Sequence, residues 1–338
     1  MKQFVLITAA LLALGSPVLA AAEIPPLGVS FSQQVVSLDP SGRPYPAVNI
    51  SPEQMEGIER HDFDLGRGRR LQVVTNLDNP QGRGLDEIAR IVRRSYDYLE
   101  TATGRSLDKG VLIYLIELDS IPLSYTFEAS YPADSHWSEV RLALLRRGEQ
   151  LLGPYGSADL AELIYDTIPH ELGHDVLAGI PNLAHDIDGR PSYHTRWFIE
   201  GVCEILAKGF ARRENSSSLQ RFLATRKVGT VLGDPRVRSQ LFSWSQENGY
   251  EMGLESDLYG ASMLMVMAWA EQLGLPALLD RLSQCSDQLC GADLVSLMVA
   301  TTGMGEEQLF ERGYQLGRIL REGTYLADRR LQKVGWGG

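Results

Sequence analysis

The spacing of apolar residues changes period partway through the first regular stretch of the chain. Leu71, Val73 and Val74 lie in a short run that predicts a strand over 71–75, after which Leu85, Ile88, Ala89, Val92, Tyr96 and Leu99 recur at helical spacing until Gly104. Continuous or alternating apolar runs then predict strands over 111–118, 124–131 and 139–145, the last two separated by Pro132-Ala133-Asp134. Residues 158–168 return to a helical pattern. A proline-containing segment, 180–194, reverses the chain. Everything beyond Thr195 is helical in pattern, with helices expected over 197–212, 218–226, 257–274, 276–283, 292–301 and 305–321. The run Met263-Leu264-Met265-Val266-Met267 is apolar on all sides, which predicts a buried helix rather than a methionine ligand box. A helix, several strands and then helices is an α+β order.

The ends of the chain follow other rules. Lys2, the mainly apolar run from Phe4 to Leu14, and the small residues of Val18-Leu19-Ala20 and Ala20-Ala21-Ala22 have the form of a secretory signal over residues 1–22. That run is short for a bilayer, and none of the ~20 residues a span requires occurs elsewhere. The expected mature protein is exported, periplasmic or secreted, with no transmembrane segment. Residues 23–68 are rich in Pro, Gly and Ser and contain one alternating stretch, Val29 to Leu38. They form a β-like N-terminal extension or a pro-segment that covers a cleft. The boundaries that follow are 69–215 for a catalytic subdomain and 216–338 for a helical C-terminal subdomain.

Composition narrows the classes of partner. With 44% hydrophobic and 22% charged residues in 338, the chain is long enough and apolar enough to bury a substantial core. A formal net charge of −11 disfavours nucleic acid, which needs a clustered positive surface. Export permits a disulfide, and the near pair Cys285 and Cys290 is the candidate; Cys203, inside an apolar helical pattern, is expected as a buried filler.

The chemistry is concentrated in His170-Glu171-Leu172-Gly173-His174. Residues four apart share a helix face, so both imidazoles can hold one metal ion while Glu171 stays beside it. A zinc hydrolase needs that set: nitrogen ligands and a carboxylate that takes a proton from water without binding the metal. Pro169 just before the motif requires the helix either to restart near Thr167 or to kink. Two histidines leave the metal half bound. The metzincin solution, a third His six residues on with Gly three residues on, fails here because those positions are Ile180 and Leu177. A carboxylate from the next helix remains, and Trp197-Phe198-Ile199-Glu200-Gly201-Val202-Cys203-Glu204 supplies it.

That segment, following the His-Glu-x-x-His run, resembles the W-x-x-E-G-x-A-E segment of gluzincin metallopeptidases, especially the peptidase-MA-like group akin to the aminopeptidase-N catalytic domain. Cys203 replaces the Ala of that pattern. The resemblance covers about residues 69–285 and implies a zincin-like α+β catalytic domain with a small mixed sheet, followed by a mainly helical part. In zinc peptidases the last strand commonly forms the sheet edge above the cleft. The resemblance also implies Glu200 as third zinc ligand; without it, Glu200 is a carboxylate on a helix N-terminal dipole. The gap from His174 to Glu200, residues 175–199, is 25 residues, longer than in thermolysin or aminopeptidase N. Glu204 lies four residues on, placed either to accept the free N–H of a ligating His or to face solvent. Asp257-Leu258-Tyr259-Gly260-Ala261-Ser262 is similar to the family's Y-x-x-G or Y-x-x-A segment, which makes Tyr259 an oxyanion donor or else a core tyrosine; Tyr193, His194 and Arg196 are alternative donors. No Gly-x-Met-Glu-Asn sequence is present, so an exopeptidase activity has no support.

The expectation is a zinc metallopeptidase with one Zn2+ per chain on His170, His174 and Glu200, Glu171 as the proton acceptor, and a peptide or protein as substrate. The alternatives are an exported binding or scaffold protein that keeps the fold without turnover, and a zinc hydrolase of a non-peptide amide or ester.

Overall fold

A computed structural model of the chain describes residues 59–75, 83–118, 129–130, 137–147, 150–152, 163–180, 183, 195–214, 219–244, 253–284, 294–323 and 331–336. The signal over 1–22, the strand expected over 29–38, the loop residues Tyr193 and His194, and the pair Cys285 and Cys290 lie outside the described residues.

Six strands, β1 (Glu59–Gly66), β2 (Arg69–Thr75), β3 (Gly110–Leu118), β4 (Ala129–Ser130), β5 (Trp137–Arg147) and β6 (Gln150–Leu152), make a mixed sheet. Their order is β1-β2-β3-β5-β4, with β6 also pairing β5. β1 belongs to the stretch read as an extension and pairs antiparallel with β2 across a tight turn. Gly66, Arg67 and Gly68 all have positive φ in that turn, and two of the three are the residue type that adopts it without strain. β2, β3 and β5 are parallel. Parallel neighbours need a crossover, and α1 (Arg83–Thr103) supplies it between β2 and β3. Its apolar spacing is the reason it sits there: Ile88, Ile91, Val92, Tyr96 and Leu99 are buried, and Gly104 ends it at φ 70°. β5 does not form a bare edge, since β4 pairs with it at Val140 and Glu139 and β6 at Leu145 to Arg147.

The motif helix begins in two stages. A π-turn over Leu163–Thr167 runs into α2 (Ile168–Ala178), with Pro169 in the first helical turn. A proline at this point has no N–H to give to the preceding turn, and the change from π to α spacing falls beside it. Thr167 has helical backbone angles, φ −66° and ψ −47°, and no side-chain capping bond, so the π-turn runs into the α-helix without a break. α3 (Arg196–Arg213) carries the Trp-x-x-Glu-Gly segment. α4 (Leu219–Thr225), α5 (Pro235–Leu241), α6 (Glu255–Leu273), α7 (Leu275–Gln284), α8 (Leu294–Thr302) and α9 (Glu306–Arg321) follow. Apolar periodicity does not mark α5, although it carries a start signal: the Asp234 side chain accepts from the Arg236 N–H at 2.9 Å, and Pro235 follows the cap.

α3 and α6 form the buried centre of this layer. Trp197, Phe198, Val202 and Leu206 on one, and Leu264 to Ala268 on the other, have no exposed surface. Glycines set how closely the helices cross. A Cβ at Gly173 of α2 would lie 3.1 Å from the Cys203 Sγ of α3, and one at Gly201 would lie 2.6 Å from the Ser262 carbonyl oxygen of α6. The second contact is with backbone, which cannot swing away. Gly201→Ala is therefore expected to destabilise the protein by about 1–3 kcal/mol, read as a lowered midpoint in denaturant. A midpoint equal to wild type would mean that α3 and α6 can separate freely. Trp336, near the C-terminus, closes the other side of α3 by donating its indole N–H to the Ile205 carbonyl at 3.0 Å.

Candidate functional site

The site lies where α2 crosses α3. His170, Glu171 and His174 occupy little more than one turn of α2, and Glu200 occupies the second turn of α3. His170 Nε2 is 3.2 Å from Glu200 Oε2, and His174 Nε2 is 3.7 Å from the same oxygen. Ligands bound to one tetrahedral zinc at roughly 2.0–2.1 Å stand about 3.3 Å from one another. The two distances to the Glu200 oxygen lie near that separation, and two imidazole nitrogens with a carboxylate oxygen are donor types that suit a borderline-soft divalent ion. The residues fit a metal.

Glu171 is buried, with Oε2 4.0 Å from His174 Nε2. It is at the margin of the cluster rather than among the converging donors. Glu204 is on the other side of His170: its Oε1 is 3.3 Å from Nδ1, so the ring is held at both nitrogens by carboxylates of the same helix. Tyr259, from the first turns of α6, stands with its ring 5.9 Å from that of His170, 4.9 Å from the Trp244 ring and 4.6 Å below the Arg226 guanidinium. Three elements thus bring together the residues singled out in the sequence, apart from those in undescribed loops.

The electrostatics separate the two histidines. Burial disfavours a charged His170, but hydrogen bonds to Glu200 and Glu204 and the charges of Glu204 and Glu171 outweigh it and raise its pKa to about 10. For His174 burial dominates: the Glu200 charge opposes it but does not offset it, the charges of His170 and Arg196 act with it, and the pKa falls to about 4. For Glu200, burial acts upward, but the His170 hydrogen bond and the charges of His174, His170 and Arg196 bring it down to about 2. The carboxylate is therefore ionised and ready to ligate across the physiological range.

Cys203 is a second candidate for the third ligand. Its sulfur and one nitrogen of each histidine lie within 4.8 Å of one another. Burial pushes its thiol well up, and the charges of Glu200, Glu171 and Glu204 push it in the same direction. Only a thiolate ligates, so Cys203 would have to lose a proton where three carboxylates oppose it. Glu200 is already charged. It is the better donor.

Several members of the site carried no motif of their own. Arg196 Nη2 donates to Glu255 Oε1 at 2.6 Å, its Nε is 3.7 Å from Glu200 Oε1, and its guanidinium lies 4.1 Å over the Trp244 ring. Trp244 Nε1 in turn donates to the other Glu255 oxygen at 2.9 Å. Arg196, one of the alternative oxyanion donors, has Nη2 on Glu255 and Nε beside the candidate ligand Glu200. The four-residue step from Arg196 to Glu200 was visible in the sequence; Glu255 and Trp244 come from distant segments and gave no signal. Asp166 and Lys208 belong to the same polar cluster, with Lys208 between Asp166 and Glu204.

No family model matches the chain, and no curated protein matches it. Among solved structures, it is similar to an aminopeptidase N family protein from Idiomarina loihiensis, at 11% identity and a TM-score of 0.44, over 76% of this chain and 46% of that one. It is also similar to an M1 zinc metallopeptidase from Deinococcus radiodurans, a point mutant bound to a Tyr-Ser-Ala substrate, at 13% identity and a TM-score of 0.38, over 79% of this chain and 52% of that one. A second structure of that mutant gives 16% identity and a TM-score of 0.36, over 79% and 52%. The chain spans about half the length of the structures it matches. These likenesses are distant, and the chemistry proposed below comes from the side chains.

Proposed function

We propose that this protein is a zinc-dependent hydrolase of peptide bonds, with one zinc per chain held by His170, His174 and Glu200. The observation that carries the reading is the convergence of both histidines on one Glu200 oxygen, with Glu171 beside them. A zinc ion held there would act as a Lewis acid, polarising the scissile carbonyl and making water nucleophilic at neutral pH.

The chain's own residues do the remainder. Glu171 accepts a proton from the attacking water and returns it to the leaving nitrogen as the C–N bond breaks, so one group serves as base and then as acid. Glu204 accepts from His170 Nδ1 and so fixes the tautomer in which Nε2 is free to ligate. Tyr259, beside the His170 ring, donates its hydroxyl to the oxygen that becomes negative as water adds. The N-terminal segment adds export to the proposal, with a periplasmic or secreted peptide or protein as the substrate.

The test is a screen of the purified, zinc-loaded protein against casein, mixed peptides, and a panel of simple amides and esters. The expected result is cleavage of peptide substrates that stops on addition of a zinc chelator and resumes with added zinc. Turnover confined to the non-peptide amides or esters would move the substrate class. Stoichiometric zinc with no turnover on any of them would leave an exported binding protein.

A further inference from the structure

Beyond the metal cluster, α2 and α3 meet along a ladder of polar pairs. Asp166, His170 and His174 succeed one another at four-residue steps up one helix, and Glu200, Glu204 and Lys208 do so up the other. The helices run antiparallel across the contact, so the steps match in reverse. His174 faces Glu200 at 3.7 Å, His170 faces Glu204 at 3.3 Å, and Asp166 faces Lys208 at 2.6 Å. Gly173, with no side chain between the rungs, lets the Cys203 sulfur sit against its backbone and brings the helices close enough for short side chains to meet.

The last rung is the unexplained one. Lys208 is 1% exposed, deep inside the helical layer. Its ammonium donates to Asp166 Oδ1 and makes a charge contact with Glu204 Oε2 at 2.8 Å, off the hydrogen-bonding direction. Removing a lysine and its partner carboxylates from water is costly, and well-packed apolar residues in place of a buried pair are often as stable or more so. Stability is therefore a poor reason for a charged rung. Its geometry offers a better one. Glu204 Oε1 already receives His170 Nδ1 and Arg226 Nη2, both at 3.3 Å, while Oε2 faces Lys208. The Lys208 ammonium and the Arg226 guanidinium thus flank the Glu204 carboxylate from two sides. With Oε2 taken by Lys208, the carboxylate keeps Oε1 turned to the imidazole. Asp166 anchors Lys208 from the π-turn one helical step before His170.

We infer that Lys208 and Asp166 are positioning residues for the metal site: the terminal rung fixes the register of α2 against α3 and the orientation of Glu204, and so the ring of His170. This rests on the reading of His170 as a zinc ligand. Simple electrostatics makes the opposite prediction for the lysine alone, since deleting a cation near a divalent ion should strengthen metal binding. The test therefore removes both charges together.

The measurement is zinc affinity of the full chain by chelator competition, for wild type, Lys208→Met with Asp166→Asn, Glu204→Gln, and all three substitutions together. Removing an outer partner of a metal ligand typically weakens binding by roughly 10–100-fold, and that loss is expected for the Lys208/Asp166 variant. Because the rung acts through Glu204, adding it to Glu204→Gln should cost little more than Glu204→Gln alone. The His170 Nδ1–H proton, observed by NMR in the zinc-bound wild type, should exchange faster with solvent in Asp166→Asn. That milder variant tests the inference should the double substitution not fold. Zinc affinity within about twofold of wild type, an equal loss in the Glu204→Gln background, or unchanged Nδ1–H exchange in Asp166→Asn would overturn the inference while leaving the zinc site standing. A wild-type chain that binds no zinc would overturn both.

Discussion

Glu171→Gln is expected to abolish hydrolysis while the protein keeps its full complement of zinc. The carboxamide has nearly the same size as the carboxylate, so the buried position beside His174 remains filled and α2 keeps its packing. What it loses is the capacity to accept a proton. A positioned general acid or base contributes about 10²–10⁴ in rate, and one group that both takes the proton and returns it should lie at the upper end. Because Glu171 stands outside the trio that converges on Glu200 Oε2, zinc content should not change. Steady-state turnover and elemental analysis on one preparation decide the matter. Retained turnover would remove Glu171 from the mechanism, and lost zinc would make it a ligand.

Glu200→Ala should have the largest effect on the metal itself. It removes the one anionic donor that both histidines face, and leaves two neutral nitrogens to hold a dication. Losing only an outer partner of a ligand typically weakens binding 10–100-fold, so loss of a charged ligand should weaken it by more than about 100-fold. Cys203→Ala is the control that gives this experiment its meaning. The thiol lies near both histidines but is pushed upward by burial and by the surrounding carboxylates, so its removal should leave zinc stoichiometric. If Cys203→Ala lost the metal and Glu200→Ala kept it, the site would be two histidines and a thiolate. Glu171 would still stand beside such a site.

The lateral arrangement around Arg196 bears on the same ligand. Its guanidinium is fixed by Glu255 and packed over Trp244, which leaves the Nε side beside Glu200 Oε1. Its Nη1 has no hydrogen-bond partner among the described residues. A cation at that position opposes a divalent ion nearby, yet it also draws on one Glu200 oxygen and leaves the other facing the histidines. Glu255 carries compensating negative charge, and burial raises its pKa against the opposing pull of Arg196 and the Trp244 indole.

Local pattern determined a large part of this protein. Apolar spacing predicted α1, the parallel strands β2, β3 and β5, and most helices after Thr195, because helix and strand each bury one face and the period is written into the chain. Four-residue steps put His170 with His174, and Glu200 with Glu204, on shared helix faces before any fold was known. Pro169 marks a helix start or a kink in the sequence, and in the structure a π-turn passes into the α-helix there without a break. α5 went unseen because seven residues are too few for a period to emerge from the surrounding loops, even with Asp234 and Pro235 marking its start.

Only the tertiary structure could decide which faces meet. That Glu200 Oε2 stands between two imidazoles, and Lys208 against Asp166, depends on the antiparallel register of α2 and α3, which is set by the close approach at Gly173 and by the Gly201 crossing with α6. The choice between Glu200 and Cys203 likewise rests on which group the buried surroundings leave charged. The same holds for Glu255 and Trp244, which reach Arg196 from segments about 50–60 residues away in the chain. A sequence records what each helix face carries, but the partner of a face is fixed by packing shapes and charges summed over the whole core, and no local period encodes that sum.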